Sequence, residues 1–273
     1  MFLRLRSIFS VCLVIGTFSA AVLAQATPQP TPTPKATPVP KAQKIDPSNL
    51  TAEQVAETTI GFYGFPIGRT LLDQIRKTTF ERGIANITNA EGKVDRVPYQ
   101  RFVIRGTNLT KEKIRLDQEF PAARYSLVLS DEKIFGVYNN TVFTPREDAL
   151  KVFENQIVRG LEALLRYKEN ESTIELAARE KVMGVDFHVV EVTDKQGRKT
   201  KFYISARQFR VMMLTYEDGG IKYKRKFYDY NYAQGTLVPF RTILWAGDKI
   251  IEETDVGTIT YGQKVDEGLF TAG

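Results

Sequence analysis

Residues 211–230 read VMMLTYEDGGIKYKRKFYDY, and in them two runs of apolar and aromatic residues flank the turn sequence Asp218-Gly219-Gly220. This arrangement is typical of a β-hairpin. Similar pairs of runs occur on either side of Asp194-Lys195-Gln196-Gly197 and of Ala246-Gly247-Asp248. Turn signals about 8–12 residues apart, with no helical pattern between them, predict an antiparallel meander rather than a parallel sheet.

The same alternation occurs earlier in the chain. Ile114 and Leu116 alternate with charged residues, which predicts a strand with one buried and one exposed face. Residues 101–105 and 125–129 show the pattern again. We therefore predict a mostly β domain built on one antiparallel sheet of about ten strands.

Two main helices are predicted to accompany the sheet. Thr51 and Gln54 have the spacing of a capping box, which predicts a helix over 51–63. Thr144-Pro145, followed by apolar residues at helical spacing, predicts a second helix over 145–166. An amphipathic helix beside a sheet buries its apolar stripe against that sheet, so we expect both helices to pack on one face of it.

The N-terminal residues predict export. Arg4 and Arg6 precede an apolar stretch, and Ala24-Gln25-Ala26 supplies the small residues of a cleavage site. These are the features of a signal peptide, which we assign to residues 1–26. An uncleaved anchor is the alternative. The mature protein is accordingly expected to be periplasmic or secreted.

A linker separates the signal peptide from the folded domain. Residues 27–45 are rich in proline and threonine. Proline fixes its backbone and lacks a donor, so this segment is predicted to be a disordered, extended linker. Residues 46–273 form the predicted single folded domain.

Few residues could support catalysis or metal binding. Cys12, the only cysteine, lies in the predicted signal peptide, so the mature chain has no thiol. His188, the only histidine, lies in a predicted strand, and a typical zinc site needs more nitrogen or sulfur ligands. We predict no catalytic residue, no metal site, no cofactor and no enzymatic activity. An exported hydrolase with carboxylates from distant strands is a third alternative.

The positive charge of the chain does not indicate a nucleic-acid partner. The net charge is +6, but the first 46 residues hold five basic residues against Asp46 alone, which leaves about +2 for the folded part. That value is too low for a phosphate-binding footprint. A basic, aromatic run is interpreted as one solvent face of a strand; a nucleic-acid or acidic-lipid surface is its alternative, and export disfavours nucleic acid. The residues assigned to this face are Lys222, Lys224, Lys226, Tyr228, Tyr230 and Tyr232.

The order of motifs over residues 183–271 is more specific than any single motif. The strand Lys201–Ser205 precedes the Asp218-Gly219-Gly220 turn, then Gly235-Thr236-Leu237-Val238-Pro239, and last an Asp266-to-Phe270 tail. In this order the sequence resembles the outer-membrane lipoprotein-sorting proteins, the LolA/LolB-like superfamily. The resemblance implies an unclosed antiparallel β-barrel with the helices on its concave face. It also implies a cavity that holds the acyl chains of lipoproteins, or, in relatives, other lipids or a stress-sensing role.

A half-barrel must turn one face of each strand toward its interior. We assign the apolar face of each predicted strand to that side. Arg225 shares such a face, and a buried, unpaired guanidinium is costly. We therefore expect Arg225 to meet a carboxylate, to border the cavity mouth or to contact a ligand headgroup. The candidate ligand-binding residues are Phe102, Ile104, Ile114, Leu116, Leu127, Phe202, Ile204, Met213, Tyr223, Arg225 and Phe227.

These features favour one function and leave another open. The leading hypothesis is a non-catalytic envelope protein that binds a lipid or an acylated lipoprotein in a half-barrel cavity. Its expected partners are lipid acyl chains or a lipoprotein, together with a membrane-associated protein. The alternative is a protein-interaction or stress-sensing module on the same scaffold, with a filled core and no small ligand.

Export should leave a shortened chain. We expect cleavage near Ala24 or Ala26, because the small residues that a signal peptidase recognises occur there. N-terminal sequencing of the protein recovered from the cell envelope measures this directly. Recovery of a chain that still begins at Met1 would contradict cleavage and support an uncleaved anchor.

Overall fold

A computed structural model describes residues 50–89 and 91–271, so the predicted signal peptide and linker lie outside the described residues. Thirteen strands among these residues form a single antiparallel sheet. The strands are β1 (Thr78–Thr88), β2 (Val94–Ile104), β3 (Lys113–Glu119), β4 (Arg124–Ser130), β5 (Lys133–Tyr138), β6 (Thr141–Phe143), β7 (Thr173–Val182), β8 (Val185–Thr193), β9 (Lys199–Ser205), β10 (Val211–Asp218), β11 (Ile221–Ala233), β12 (Thr236–Ala246) and β13 (Lys249–Tyr261).

The sheet is an unclosed half-barrel, as predicted. Its strand order is β6-β5-β4-β3-β2-β1-β13-β12-β11-β10-β9-β8-β7, so β6 and β7 are the two edges and β1 pairs with β13 near the middle. The sheet has more strands than the predicted number of about ten, because some strands lack the sequence pattern by which strands are recognised. Most of β1 is half-buried on both faces and lacks alternation, and β6 has only three residues.

Four α-helices occur in the described part of the chain, and α2 was not predicted. None of them is long and apolar enough to cross a membrane. The third and fourth helices lie in sequence between β6 and β7, so they connect the two edges of the sheet. The helices are α1 (Ala52–Tyr63), α2 (Arg69–Ile75), α3 (Glu147–Val158) and α4 (Leu161–Leu165).

The first helix begins as the sequence predicts. The Thr51 hydroxyl accepts a hydrogen bond from the Gln54 backbone N–H at 3.2 Å, and the Gln54 side chain accepts one from the Thr51 N–H at 2.9 Å. This capping box satisfies two backbone donors that the first helical turn leaves free. The helix then buries Val55 and Ile60 in the core.

The second predicted helix is broken, which corrects the prediction of one helix over 145–166. Helix α3 ends at Val158, and α4 begins after Gly160, whose ψ of −175° is extended. A Cβ atom at Gly160 would lie 2.5 Å from the Gln156 carbonyl oxygen. Glycine is also a poor helix former, which favours a break at this position. The apolar residues keep their helical spacing on both sides of the break, so that spacing alone does not predict it.

The core lies between the helices and one face of the sheet. Side chains of α1, α3 and α4 are buried in the same cluster as those of β3, β8, β9 and β10. This arrangement confirms that the helices pack on the concave face. Residues that are at most 2 % exposed in this cluster include Val55, Ile60, Tyr63, Ile114, Phe153, Leu164, Leu165, Val190, Phe202, Ile204, Val211 and Leu214.

One glutamate ties two helices to the sheet. Glu162 of α4 accepts hydrogen bonds from Arg76, which caps α2, and from Arg105, which follows β2, both at 2.7 Å. Arg105 also pairs with Asp73 of α2 at 3.1 Å. Burial alone would raise the pKa of Glu162, but Arg105 and Arg76 together lower it below its ordinary value. The carboxylate therefore stays ionised and holds both guanidinium groups.

The break at Gly160 gives a first stability test. We expect Gly160→Ala to destabilise the protein by about 1–3 kcal/mol, because the new methyl group collides with the Gln156 carbonyl. Gly61, inside α1, is the matched control. A Cβ there meets nothing within 4 Å, so Gly61→Ala should stabilise the protein by about 0.5–1 kcal/mol. Urea unfolding measures both; a stabilising Gly160→Ala would contradict the break.

The Glu162 pairs give a second test. We expect Glu162→Gln to cost about 3 kcal/mol at neutral pH, because it leaves the largely buried Arg76 without a carboxylate and Arg105 with Asp73 alone. The control Glu147→Gln breaks an exposed pair with Lys151 and should cost less than about 0.5 kcal/mol.

The pH dependence of this cost checks its origin. The folded-state pKa of Glu162 lies below its ordinary value of 4.5, so its stabilising contribution is present above that value. This contribution is lost as the pH falls through the folded-state pKa of Glu162. The difference in unfolding free energy between wild type and Glu162→Gln should therefore shrink in acid. A difference that is independent of pH would assign the loss to packing instead.

Candidate ligand cavity

A cavity of about 250 Å³ lies between the concave face of the sheet and the junction of α3 and α4. Strands β1–β3 form one wall and β10–β13 the other. The helix junction covers it because Gly160 breaks the helix there, which places Ile157 and Leu161 over the sheet. Helix α1 contributes Tyr63 at one end.

Much of the lining is apolar. Ile114 and Leu116 of β3 face Leu214 of β10 and Phe227 of β11 across the cavity. All four are buried, and they belong to the same core cluster as the helices. Such walls exclude water and suit an apolar ligand.

The lining also carries charge. Five arginines and four glutamates line the cavity within the described residues. In that part of the chain, no group of three or more histidine, cysteine, aspartate or glutamate side chains could hold a metal ion. The charged lining residues are Arg76, Arg101, Arg105, Arg159, Arg225, Glu81, Glu112, Glu162 and Glu252.

Arg225 meets a carboxylate, which was one of the expected outcomes. Its guanidinium lies 3.3 Å from Glu252 Oε1. The second oxygen of Glu252 accepts a hydrogen bond from Gln156 of α3 at 2.9 Å. This pair therefore connects β11, β13 and a helix at one side of the cavity, and it leaves Arg225 neutralised.

Arg159 is satisfied without a carboxylate. It donates to the Asn155 side chain at 2.8 Å and to the Lys199 carbonyl at 2.9 Å, and its guanidinium lies 4.7 Å from the centre of the Tyr216 ring. Burial lowers its pKa, which is nevertheless far too high for it to lose its proton. Arg159 thus connects α3 to the start of β9 and packs against β10.

Arg101 differs from these cations. Its side chain makes neither a hydrogen bond nor an ion pair with the residues that the structure describes, and its Nε is buried without a partner. It lies on β2, directly opposite Glu81 of β1 and Leu116 of β3. The Glu81 carboxylate instead accepts a hydrogen bond from the Tyr99 hydroxyl at 2.8 Å.

Glu112 is another carboxylate of the charged lining, and its pKa is raised above the ordinary value. Burial and, second, the nearby Glu162 raise its pKa to about 7, against the opposing effect of Arg166 and the other arginines. Glu112 accepts a hydrogen bond from Arg166, a pair in which both side chains are almost fully buried. With five arginines against four glutamates, the described lining of the cavity has a slight excess of positive charge.

The predicted ligand-binding residues divide into three groups. Ile114, Leu116, Arg225 and Phe227 line the cavity. Leu127, Phe202 and Ile204 lie in the core cluster on the same side of the sheet but away from the cavity lining. Tyr223 also belongs to this second group outside the lining, and it stacks on the lining residue Tyr216 with ring centroids 4.9 Å apart. The third group, Phe102, Ile104 and Met213, lies on the other face of the sheet.

The face assigned to β2 was wrong. Arg101, Val103 and Arg105 line the cavity, so the alternating residues Phe102 and Ile104 point away from it. Phe102 stacks instead on Phe80 of β1, with ring centroids 4.8 Å apart. The charged face of β2 can turn inward because carboxylates of the helices neutralise part of its charge. These contacts join residues that are distant in sequence, so alternation along one strand cannot predict them.

The face assigned to Met213 was wrong because of a β-bulge. Pairing between β9 and β10 shifts register between Val211 and Met213, so Val211 and Leu214 both face the core. A similar local effect corrects the assignment of Tyr230 to the lysine face. Asp229 has a φ of +51°, which reverses the alternation, and the Tyr230 hydroxyl lies 2.8 Å from that of Tyr63.

Sequence reasoning missed the charged half of the lining. Arg101 and Arg105 have the spacing of one strand face, and Val103 lies between them. Two cations on a single face of the run 101–105, whose other residues are apolar, were the available signal. The position of Glu162 could not be anticipated, because it depends on the break at Gly160.

Several solved structures have a similar fold. A LolA superfamily protein from Nitrosomonas europaea matches with a TM-score of 0.58 and 13% identity, over 82% of this chain and 98% of the other. A DUF1329 family protein from Desulfovibrio piger matches with a TM-score of 0.58 and 14% identity, over 81% and 97%. An outer membrane lipoprotein-sorting protein domain from Vibrio parahaemolyticus matches with a TM-score of 0.50 and 13% identity, over 74% and 92%.

Sequence comparisons give no such match. No protein-family model matches this chain, and neither does any curated protein. Identities of 13–14% establish a shared fold alone. The half-barrel sheet, the helices on its concave face and these structural matches together confirm the resemblance read from the C-terminal motifs: the chain has the fold of the LolA superfamily.

Proposed function

We propose that this chain is an exported, non-catalytic envelope protein that binds the acyl chain of a lipid or lipoprotein in its half-barrel cavity. The observation that carries the proposal is the cavity itself, with apolar walls from β3, β10 and β11 under the α3–α4 junction. The predicted signal peptide supports a periplasmic or secreted location.

The energetics of an apolar chain suit this cavity. Each buried methylene group contributes about 0.8 kcal/mol, so a short stretch of chain gives useful affinity without polar anchors. The similar domain from Vibrio parahaemolyticus, an outer membrane lipoprotein-sorting protein by name, supports an acylated ligand by analogy.

A specific observation also favours the second candidate, a protein-interaction module without a small ligand. The part of the concave side beneath α1 is filled. Phe202 and Ile204 of β9 are completely buried there, as are Val55 and Tyr63 of α1. If the protein is such a module, the cavity beneath the α3–α4 junction is only a packing gap, and partner proteins bind the outer surface of the domain.

Two measurements distinguish these candidates. Mass spectrometry of organic extracts from the purified native protein should detect an acyl-chain compound if the first is correct. The fluorescent probe N-phenyl-1-naphthylamine should then bind in the cavity, and such compounds should displace it.

We expect Leu116→Trp to weaken probe binding at least about 10-fold, because the larger ring fills the cavity at the cost of modest overpacking. Val94→Trp is the matched control, since Val94 is 57% exposed on the neighbouring strand, and it should bind like the wild type. Melting temperatures verify that both variants are folded. A folded wild type that carries no extractable compound and binds no probe would contradict the carrier function and favour the interaction module.

A further inference from the structure

Arg101 occupies an unusual position among the cavity cations. Arg76 and Arg105 share Glu162, and Arg225 pairs with Glu252. Arg159 is satisfied by an amide, a carbonyl and a ring. Of the arginines that line the cavity in the described part of the chain, Arg101 is the one that makes neither a hydrogen bond nor an ion pair, and its Nε is buried without a partner.

The acid nearest to Arg101 along the sheet is already engaged. Glu81 is its cross-strand neighbour, but the Tyr99 hydroxyl donates to that carboxylate at 2.8 Å. Burial and then Glu81 raise the pKa of Tyr99, so the phenol remains a donor at all ordinary pH values. The Glu81 carboxylate is therefore engaged by Tyr99 and makes no ion pair with Arg101.

Arg101 is half-buried, and its Nε is shut off from solvent without a partner, beside apolar side chains of the cavity wall. Leu116 lies opposite Arg101 on β3, and Val103 shares its strand face. Burying an ionic group without a partner costs several kcal/mol, so proteins rarely retain one unless a ligand supplies the partner.

We propose that Arg101 binds the headgroup of the ligand, which is a single-chain amphiphile ending in a carboxylate or phosphate group. This inference rests on the proposed function and specifies its ligand class. Arginine presents a planar fork of N–H donors that matches both kinds of headgroup. The chain of the amphiphile would extend from Arg101 past Leu116 toward Leu214 and Phe227, which line the same cavity.

The cavity volume favours one chain over several. At about 250 Å³ it lies below the usual range for pockets of drug-sized ligands, which is ~300–1,000 Å³. A ligand with two or three acyl chains would need the helices to move outward. A single chain with a compact acidic headgroup fits the cavity as it stands.

The test compares headgroups on a constant chain. Decanoate, decyl phosphate and decan-1-ol are titrated calorimetrically into the mature protein, at a pH where both acids are ionised. We expect at least one acid to bind about 10-fold or more tightly than the alcohol, because charge-assisted hydrogen bonds are the stronger kind. The tighter of the two acids identifies the headgroup.

Two variants assign the selectivity to Arg101. Arg101→Gln should reduce the preference for acid over alcohol to less than about 2-fold while it retains alcohol binding, since hydrogen bonds to neutral groups are weaker. Arg96→Gln is the matched control, because Arg96 is an exposed cation on the opposite face of the same strand, and it should keep the full preference.

The outcomes separate the two proposals. If all three compounds bind the wild type equally, the cavity binds chains but the headgroup inference is wrong. If none binds, the proposed function fails as well. A preference that survives in folded Arg101→Gln would also overturn the role of Arg101. Should that variant not fold, the Arg101 Nε–H resonance in the wild type must shift with the preferred acid and not with decan-1-ol.

Discussion

The pairing of β1 with β13 near the middle of the sheet constrains the rest of the molecule. Since the first and last strands meet there, both edges of the sheet belong to the interior of the chain, at β6 and β7. The connection between these edges must cross one face of the curved sheet. Helices α3 and α4 make that crossing on the concave side, where Phe153 and Leu164 are buried. The cover of the cavity is thus attached to the sheet at both of its edges.

Glu162 shows how this cover is fixed. A buried ion pair contributes little net stability compared with well-packed apolar groups, but it requires a particular arrangement of its partners. Here the two arginine partners come from the end of α2 and the end of β2, and the carboxylate belongs to α4, so this pair of contacts connects three elements. Arg101, on the same strand as these contacts, has no such carboxylate. Arg105 is thus fixed by helix carboxylates, whereas Arg101, on the same face, is not.

Local signals predicted much of this fold. The hairpin turns, the capping box of Thr51 and Gln54 and the apolar stripe of the second helix each depend on residues close in sequence, and the motif order added the half-barrel. What could not be predicted depended on contacts between distant elements. Alternation identified two faces of β2 correctly but could not show that the arginine face is turned inward, because the acids that permit it lie on α2 and α4. The bulge near Met213 and the positive φ of Asp229 likewise reverse a face without any change in the apolar pattern.

The two candidate functions correspond to two halves of the concave side. Beneath α1, the side chains of β9 and the helix leave no room, and the Tyr63–Tyr230 hydrogen bond closes that half. Beneath the α3–α4 junction, the helix break leaves a cavity whose walls combine apolar side chains with an unpaired cation. A mere packing gap would be lined by neutral groups or by charges that satisfy one another, because nothing then compensates for a buried charge. The unsatisfied Arg101 therefore favours a ligand in this half, and it does so independently of the resemblance to lipoprotein-sorting proteins.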